Sequence, residues 1–277
     1  MNHTVEHDPA TENIAFVAQN PGDIIEKECI SCGRTQPHSL HSLQLAVDDP
    51  EYAAHLIAQC TVCSLHSAFP MPTDDDLRRT YARRPHVANI ASGSFLGNII
   101  RSYRDTKKIN MLKQLAPSGT VVDVGTGTGL FLRLARKAGD WDLIGTDYSK
   151  VNVAKLQADG FDARFGTLDG IGIEPESVDV IWASHVIEHM IDPPAFLATV
   201  QRYLKPGGVL VVFVPSETSL RSRLGTSNWH IVNPPGHLWG FRPTTFRPIV
   251  ERSGLKVEKL RNSSLVCELI CVARKAT

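Results

Sequence analysis

Three groups of residues in this 277-residue sequence have types and spacings that can do chemistry. The first is a pair of CxxC units, Cys29/Cys32 and Cys60/Cys63, separated by 27 residues. Each CxxC can form a knuckle presenting two thiolates, and two knuckles close a tetrahedral four-sulfur site suited to Zn²⁺. The spacer exceeds the compact pattern of roughly 15–20 residues, which a ribbon-like loop accommodates. Gly33 relieves the turn of the first knuckle. Four cysteine ligands leave no open coordination position, so such a metal organises structure and does not activate water. A redox CxxC stands alone at the head of a helix, a setting missing here. The second group is the run VVDVGTGTG, Val121 to Gly129, followed by Asp147 at the end of LIGTD. An apolar strand, a glycine turn, a helix, a second strand and an acid in that order make a nucleotide cradle. The third group is His185, His189 and His237, side chains able to take a proton near neutral pH.

Two ligands compete for the cradle. A dinucleotide fingerprint, G-x-G-x-x-G, wants a third glycine three residues after the second. Counted from Gly127 that position is Leu130, and counted from Gly129 it is Leu132. Asp123, two residues before Gly125, sets a carboxylate beside the loop. That charge repels a pyrophosphate but suits the ammonium end of a methionine moiety. The residues therefore favour S-adenosylmethionine over a dinucleotide.

His185-Val-Ile-Glu188-His189 also matches the H-x-x-E-H pattern of inverted zinc peptidases. The expected position of His185 at the end of the strand VDVIWAS argues against two histidines sharing one helix face. No downstream third-ligand motif accompanies the pair. His189 and His237 rank equally as candidate bases, and His185 fits better as a cofactor-pocket residue. His237 lies in a long connection, Pro215 to Arg242, that also carries Trp229, His230, Trp239 and Phe241. Long connections of this kind tend to be lids or substrate walls, and these aromatics are expected to cover a planar or sugar-like acceptor.

The elements that must hold these groups are legible from periodicity. Apolar runs at 120–124, 143–146, 163–165, 178–183 and 209–214 read as strands. Helical stretches at 130–138, 150–158, 194–204 and 243–253 alternate with them, and strands at 255–260 and 265–272 close the chain. Alternation of this kind predicts an α/β fold, doubly wound, with a mostly parallel seven-stranded sheet. The final two strands allow an antiparallel hairpin at one edge. Before this domain, at 118–277, the sequence divides into a tail at 1–22, a small cysteine-containing module at 23–81 and a helical linker at 82–117. Asp74-Asp75-Asp76 reads as the start of a short helix, where carboxylates suit the dipole.

From about Ser118 to Lys275 the sequence resembles the class I S-adenosylmethionine-dependent methyltransferases. The resemblance rests on VVDVGTGTG, on Asp147 and on the stretch from Val178 to Pro215, where EH opens the helix after strand four and KPGG precedes strand five. It is most like the ubiquinone-biosynthesis-type O-methyltransferase branch, and HLWGF resembles that branch's H-L-x-x-F. The resemblance implies a Rossmann-like methyltransferase fold. It implies that Asp123, Gly125, Thr126, Gly127 and Gly129 line the methionine side and that Asp147 holds the ribose. Thr167 and Leu168 would sit near the adenine, with Asp169 the nearest acid there, and Tyr148 and Ser184 complete the cofactor-binding set. The segment Cys29 to Tyr81 resembles the zinc-binding module preceding some sugar and natural-product methyltransferases. Its second knuckle carries Ser64 where that module often has glycine.

Composition bounds the alternatives. Hydrophobic residues make up 42% and charged residues 21%, as in globular proteins. Twenty-nine basic residues balance 29 acidic ones, so no bulk affinity for nucleic acid or anionic membrane is indicated. The patch Arg78, Arg79, Arg83 and Arg84 reads as a solvated helix face. The longest apolar run, Val209 to Val214, is far short of the ~20 residues a membrane span needs. The N-terminus shows no signal-peptide pattern, and the expectation is a soluble, cytoplasmic protein. Cys267 and Cys271 read as small core residues. The expected function is methyl transfer to a small-molecule acceptor, O-methylation before C- or N-methylation, on a sugar, natural product or quinone-like compound. The alternatives are a dinucleotide-dependent oxidoreductase, which a missing Tyr-x-x-x-Lys pair disfavours, and a non-catalytic binding protein.

Overall fold

The computed structural model describes residues 20–42, 56–83, 95–218, 232, 236–263 and 267–277. Of the lid aromatics, Trp229 and His230 lie outside these residues, as do Arg84 of the basic patch and most of the tail. Arg79 of the patch pairs with Asp76 at 2.6 Å.

Two sheets organise the chain. The larger has seven strands: β5 (Gly119–Val124), β6 (Trp141–Asp147), β7 (Asp162–Phe165), β8 (Val178–Ser184), β9 (Leu204–Pro215), β11 (Leu255–Asn262) and β12 (Glu268–Lys275). Their order is β11-β12-β9-β8-β5-β6-β7. The five from β9 to β7 run parallel, and β12 is antiparallel to both β9 and β11. Period-two alternation in β9 shows why the sheet is covered on both faces. Val209, Val211 and Phe213 face one core with Ile109 and Leu112 of α2 (Phe95–Leu115) and Ala135 of α3 (Leu130–Ala138). Leu210, Val212 and Val214 face the other, with Leu197 and Val200 of α5 (Pro193–Tyr203) and Phe246 and Ile249 of α6 (Pro243–Arg252). Helix α4 (Lys150–Ala158) spans the stretch periodicity predicted and is capped by Ser149, which accepts from the Asn152 amide.

Two readings are corrected. KPGG does not precede β9 but lies inside it, as a bulge between the Leu204–Val178 and Val209–Val180 pairs. Gly207 at φ +79° supplies the backbone that the bulge needs. The segment after β8 is not the start of a helix: Ile187–His189 form a single 3-10 turn, and α5 begins at Pro193. Two prolines after Asp192 fix that start, with the Asp192 carboxylate accepting from the Ala195 amide. Of the helical linker, Phe95–Leu115 form α2, and residues 84–94 lie outside the described set.

The smaller sheet is antiparallel, ordered β1 (Ile24–Cys29), β2 (Arg34–Ser42), β3 (Leu56–Cys60), β4 (His66–Phe69) and β10 (Trp239–Gly240). Helix α1 (Asp74–Arg83) follows it, its first turn tied by Asp76 accepting from the Thr73 amide. The fifth strand was not legible in the sequence. It comes from the far end of the long connection, so the two sheets share chain. Trp239 and Phe241 are consequently buried, at 3% and 0% exposure. That overturns their reading as an aromatic surface for the acceptor: the packing between the sheets consumes them. Among the described residues no helix is long and apolar enough to cross a membrane.

Candidate functional site

Strand order reverses at β5, which lies between β6 and β8. A crevice opens beyond the carboxyl ends at such a switch point, where the glycine loop follows β5, Asp147 ends β6 and Ser184 ends β8. Gly125, Gly127 and Gly129 all adopt left-handed backbone, with φ of +67°, +54° and +75°. A Cβ on Gly125 would strike Val186 at 2.6 Å, whereas one on Gly127 would meet nothing within 4 Å. The first glycine is thus required by packing, and the second leaves the loop open for a ligand to approach. Asp147 ties this loop to β6. Its two carboxylate oxygens accept from the Gly127 and Ser149 amides, each at 2.7 Å. Tyr148, beside it, is 70% exposed and meets Phe165 edge-on. Thr167 precedes the 3-10 turn at Leu168–Gly170, and the Leu168 side chain is buried. Asp169 faces away from the cradle, bonded to Thr199 and Arg202 of α5.

A cavity of about 170 Å³ lies against the loop, lined among others by Asp123, Thr126, Phe131, Trp182, Ser184 and Lys108. Burial pushes the Asp123 carboxyl up to about 7, against the Thr126 hydroxyl and Lys108, with Asp147 adding to the rise. Burial likewise lowers the Lys108 ammonium, although Glu268, Asp105 and Asp123 pull it back up. Lys108 donates to the Ser184 hydroxyl at 3.2 Å and sits 4.2 Å from the Phe213 ring centre. The Trp182 indole N–H is buried with no partner. Lys108 and Trp182 were missed by motif reading, because a lysine on a helix and a tryptophan in a strand carry no motif.

The three histidines gather around one buried carboxylate. Glu188 has no solvent exposure, and neither of its oxygens has a hydrogen-bond partner. His185 Nδ1 lies 3.3 Å and His189 Nε2 3.9 Å from Glu188 Oε1. His237 meets the His189 ring edge-on at 4.7 Å between centres. Ligating atoms of Glu188, His189 and His237 all fall within 4.8 Å of one another. His185, at φ +57°, turns its Nε2 to Glu268 at 2.9 Å, and Arg104 donates to the same Glu268 oxygen at 2.5 Å. Burial alone would lower the His185 imidazole, but Glu188 and Glu268 outweigh it and raise it to about 9. Burial would raise Glu268 in turn, yet His185, Lys108 and Arg104 hold it below the usual carboxylate range. His185 is thereby engaged as a cation between two acids, whereas His189 and His237 border Glu188 at the loop end.

The four module cysteines meet as their spacing predicted. Cys29 and Cys63 sulfurs are 3.5 Å apart, Cys32 and Cys60 3.8 Å, and all four lie within 4.8 Å of one another. These separations far exceed a disulfide's ~2.05 Å and match the about 3.8 Å edge of a tetrahedron with Zn–S bonds of about 2.3 Å. Burial and the neighbouring Cys63 thiol raise the Cys29 thiol to about 11. The two knuckles superpose in design: Gly33 and Ser64 each donate their amide to the carbonyl of the first cysteine at 2.8 Å, with φ of +69° and +62°. Ser64 therefore holds a conformation glycine adopts freely. Ser64→Gly is expected to stabilise the protein by about 1 kcal/mol, the cost of left-handed backbone for an L-residue, read as a higher midpoint in chemical denaturation.

An α/β domain with this glycine loop, this acid and this switch point is a nucleotide-cofactor-binding domain. Residues 97–260 match the family described as Methyltransferase domain, and the chain belongs to that family. It is 36% identical over 115 residues to a ubiquinone biosynthesis O-methyltransferase of Rhodopseudomonas palustris, covering 39% of this chain and 43% of that protein. It is 28% identical over 186 residues to the 2-methyl-6-phytyl-1,4-hydroquinone methyltransferase of Synechocystis, covering 64% and 58%. The chain spans about half the length of the curated relatives it matches. Its fold is shared with Burkholderia thailandensis 1,6-didemethyltoxoflavin-N1-methyltransferase, with a TM-score of 0.55 at 14% identity over 83% of this chain and 98% of that one.

Proposed function

We propose that the protein is an S-adenosylmethionine-dependent methyltransferase acting on a small-molecule acceptor, with O-methylation of a quinone-like, sugar or natural-product hydroxyl first among the possibilities. The observation that carries this reading is the charge pattern of the cradle. Asp123 and Lys108 present a buried acid and a buried base on one cavity, beside a glycine loop with open space at Gly127. That pair matches the ammonium and carboxylate of a methionine end, and Asp147 keeps lone pairs for ribose hydroxyls. Tyr148, Thr167, Leu168 and Ser184 complete the cofactor set in this reading. The O-methyltransferase and hydroquinone methyltransferase names of the relatives support the acceptor class.

S-adenosylmethionine, when bound, supplies a methyl group on a sulfonium, which a nucleophile displaces directly. The protein's part is to hold the cofactor by Asp123, Lys108 and Asp147, to orient the acceptor, and to take its proton. His189 and His237 stand where that proton would leave, and Glu188 stabilises the resulting imidazolium. We infer also that Cys29, Cys32, Cys60 and Cys63 hold a structural Zn²⁺. The closed four-thiol geometry supports this.

Calorimetric titration with S-adenosylhomocysteine and, in parallel, NAD(H) tests the reading. Micromolar binding of the homocysteine compound is expected. Binding of NAD(H) alone would replace the methyltransferase with an oxidoreductase. The pH dependence places Asp123. At pH 6 its carboxyl is mostly protonated, given a value of about 7, and a ligand ammonium favours the ionised form. Binding then releases a proton, so affinity should rise about tenfold from pH 6 to pH 8 and level off. Asp123→Asn should flatten that rise. A flat wild-type profile would move the ammonium elsewhere.

A further inference from the structure

The four-cysteine module is joined to the acceptor side of the site and not to the cofactor side. Strand β10 is two residues long and pairs antiparallel with β4, Trp239 opposite Ser67 and Gly240 opposite His66. Two residues cannot define a strand by themselves, so their geometry comes from the sheet they join. Leu238, just before them, carries the link onward. Its carbonyl accepts from the Ala68 amide of β4 at 2.8 Å, and its own amide donates to the Glu188 carbonyl at 2.8 Å. One residue thus spans from the module to the turn holding Glu188 and His189, with His237 as its preceding neighbour. The Trp239 indole N–H donates to the Met190 carbonyl at 2.7 Å, just past the same turn. On the metal side, Lys27 lies 5.3 Å from the Trp239 ring centre and bonds Ser67. Arg252 of α6 donates to the carbonyls of Ile30 and Ser31, the two residues inside the first CxxC. Among the described residues, the cofactor cavity by contrast has no lining residue from the module.

We propose that the four-cysteine module is a brace: its metal holds β4 and β10 in place, and through Leu238 it positions the Glu188–His189–His237 cluster against the acceptor. This rests on the reading of that cluster as the acceptor side and of the thiols as a metal site. Cys29 closes β1 and Cys60 closes β3, so one ion clamps both hairpins of the sheet that β10 joins. Losing it releases the acceptor side while the glycine loop, Asp147 and Lys108 keep their own supports on β5, β6 and α2. The module's residues are positioning residues, since none touches the reacting atoms.

The test compares the 277-residue protein with a Cys60→Ser/Cys63→Ser variant, by metal content, amide hydrogen exchange and S-adenosylhomocysteine titration. The variant should lose its zinc and keep its affinity for S-adenosylhomocysteine within about threefold. Exchange at the Ala68 and Leu238 amides should quicken at least tenfold, reporting local opening, and turnover should fall with a raised KM for acceptor. Should the variant not fold, titrating the wild-type thiols with a mercurial, reversed by dithiothreitol and Zn²⁺, gives the same comparison. Unchanged exchange at Ala68 and Leu238 after metal loss would overturn the brace. So would a loss of protection equally deep across β5 and β6, which would make the metal a general stabiliser. If the wild type fails to bind S-adenosylhomocysteine, the methyltransferase reading falls, while the exchange comparison still decides whether metal and Leu238 are coupled.

Discussion

Asp147→Ala should weaken S-adenosylhomocysteine binding at least a hundredfold while leaving the melting temperature within a few degrees. The carboxylate already accepts one amide on each oxygen, from Gly127 and Ser149 at 2.7 Å. A carboxylate offers about four acceptor positions, so two remain for a ribose diol. Hydrogen bonds to charged groups contribute about 1.5–3 kcal/mol each. Losing two costs at least about 3 kcal/mol, or two powers of ten in affinity. A further loss follows because the Gly127 amide no longer has its anchor, and the loop must be ordered by the ligand. Asp147→Asn separates the two contributions. Its single carbonyl oxygen can keep one loop contact, so the loss should be smaller, about tenfold. If both variants bind as the wild type does, the ligand does not place its ribose at Asp147 and the cradle must be read again.

The parts of this protein that sequence showed best were those with a local cause. Ser149 caps α4, two prolines open α5, and the alternating apolar residues of β9 feed two cores; each can be read within a window of a few residues. The glycine loop was legible for the same reason, since tight turns need left-handed backbone wherever they fold. The four cysteines were legible because metal geometry demands a fixed ligand type at short spacing. Their partnership in space, with Cys29 beside Cys63 and Cys32 beside Cys60, only the structure could give.

What could not be read had causes distant in sequence. Trp239 looked like an acceptor wall because aromatic residues in a long connection usually are exposed to a ligand. It is buried because β4, some 170 residues earlier, takes it into a sheet. Lys108 looked like one cation among many on an amphipathic helix. Its meaning comes from Asp123 and Ser184, which no helix period reveals. KPGG read as lying ahead of the strand, but β8 pairs on both sides of it and draws it into β9 as a bulge. Each miss is a tertiary partner overriding a local signal.

His189→Asn should lower the rate of methyl transfer by about 10²–10⁴, the usual worth of a positioned general base, with S-adenosylhomocysteine affinity unchanged within twofold. The argument starts from the tautomer. His189 Nδ1 lies 2.7 Å from the Gly236 carbonyl, which can only accept, so Nδ1 carries the hydrogen and Nε2 is the proton acceptor. Nε2 is 3.9 Å from Glu188 Oε1, and Glu188 is fully buried with both oxygens lacking a hydrogen-bond partner. Glu188 already faces the His185 cation at 3.3 Å, and its carboxylate also stabilises positive charge forming on the His189 ring, which favours proton uptake from an acceptor hydroxyl. Glu188→Gln should therefore lower the rate in the same direction. His237 meets the His189 ring edge-on at 4.7 Å, so His237→Asn should cost less, about tenfold, through loss of packing at the proton acceptor. The opposite ranking, with His237 the more costly, would transfer the base to His237 and leave His189 as its support. Equal and small losses at both, with cofactor binding intact, would mean that the acceptor arrives already ionised or needs no proton removed.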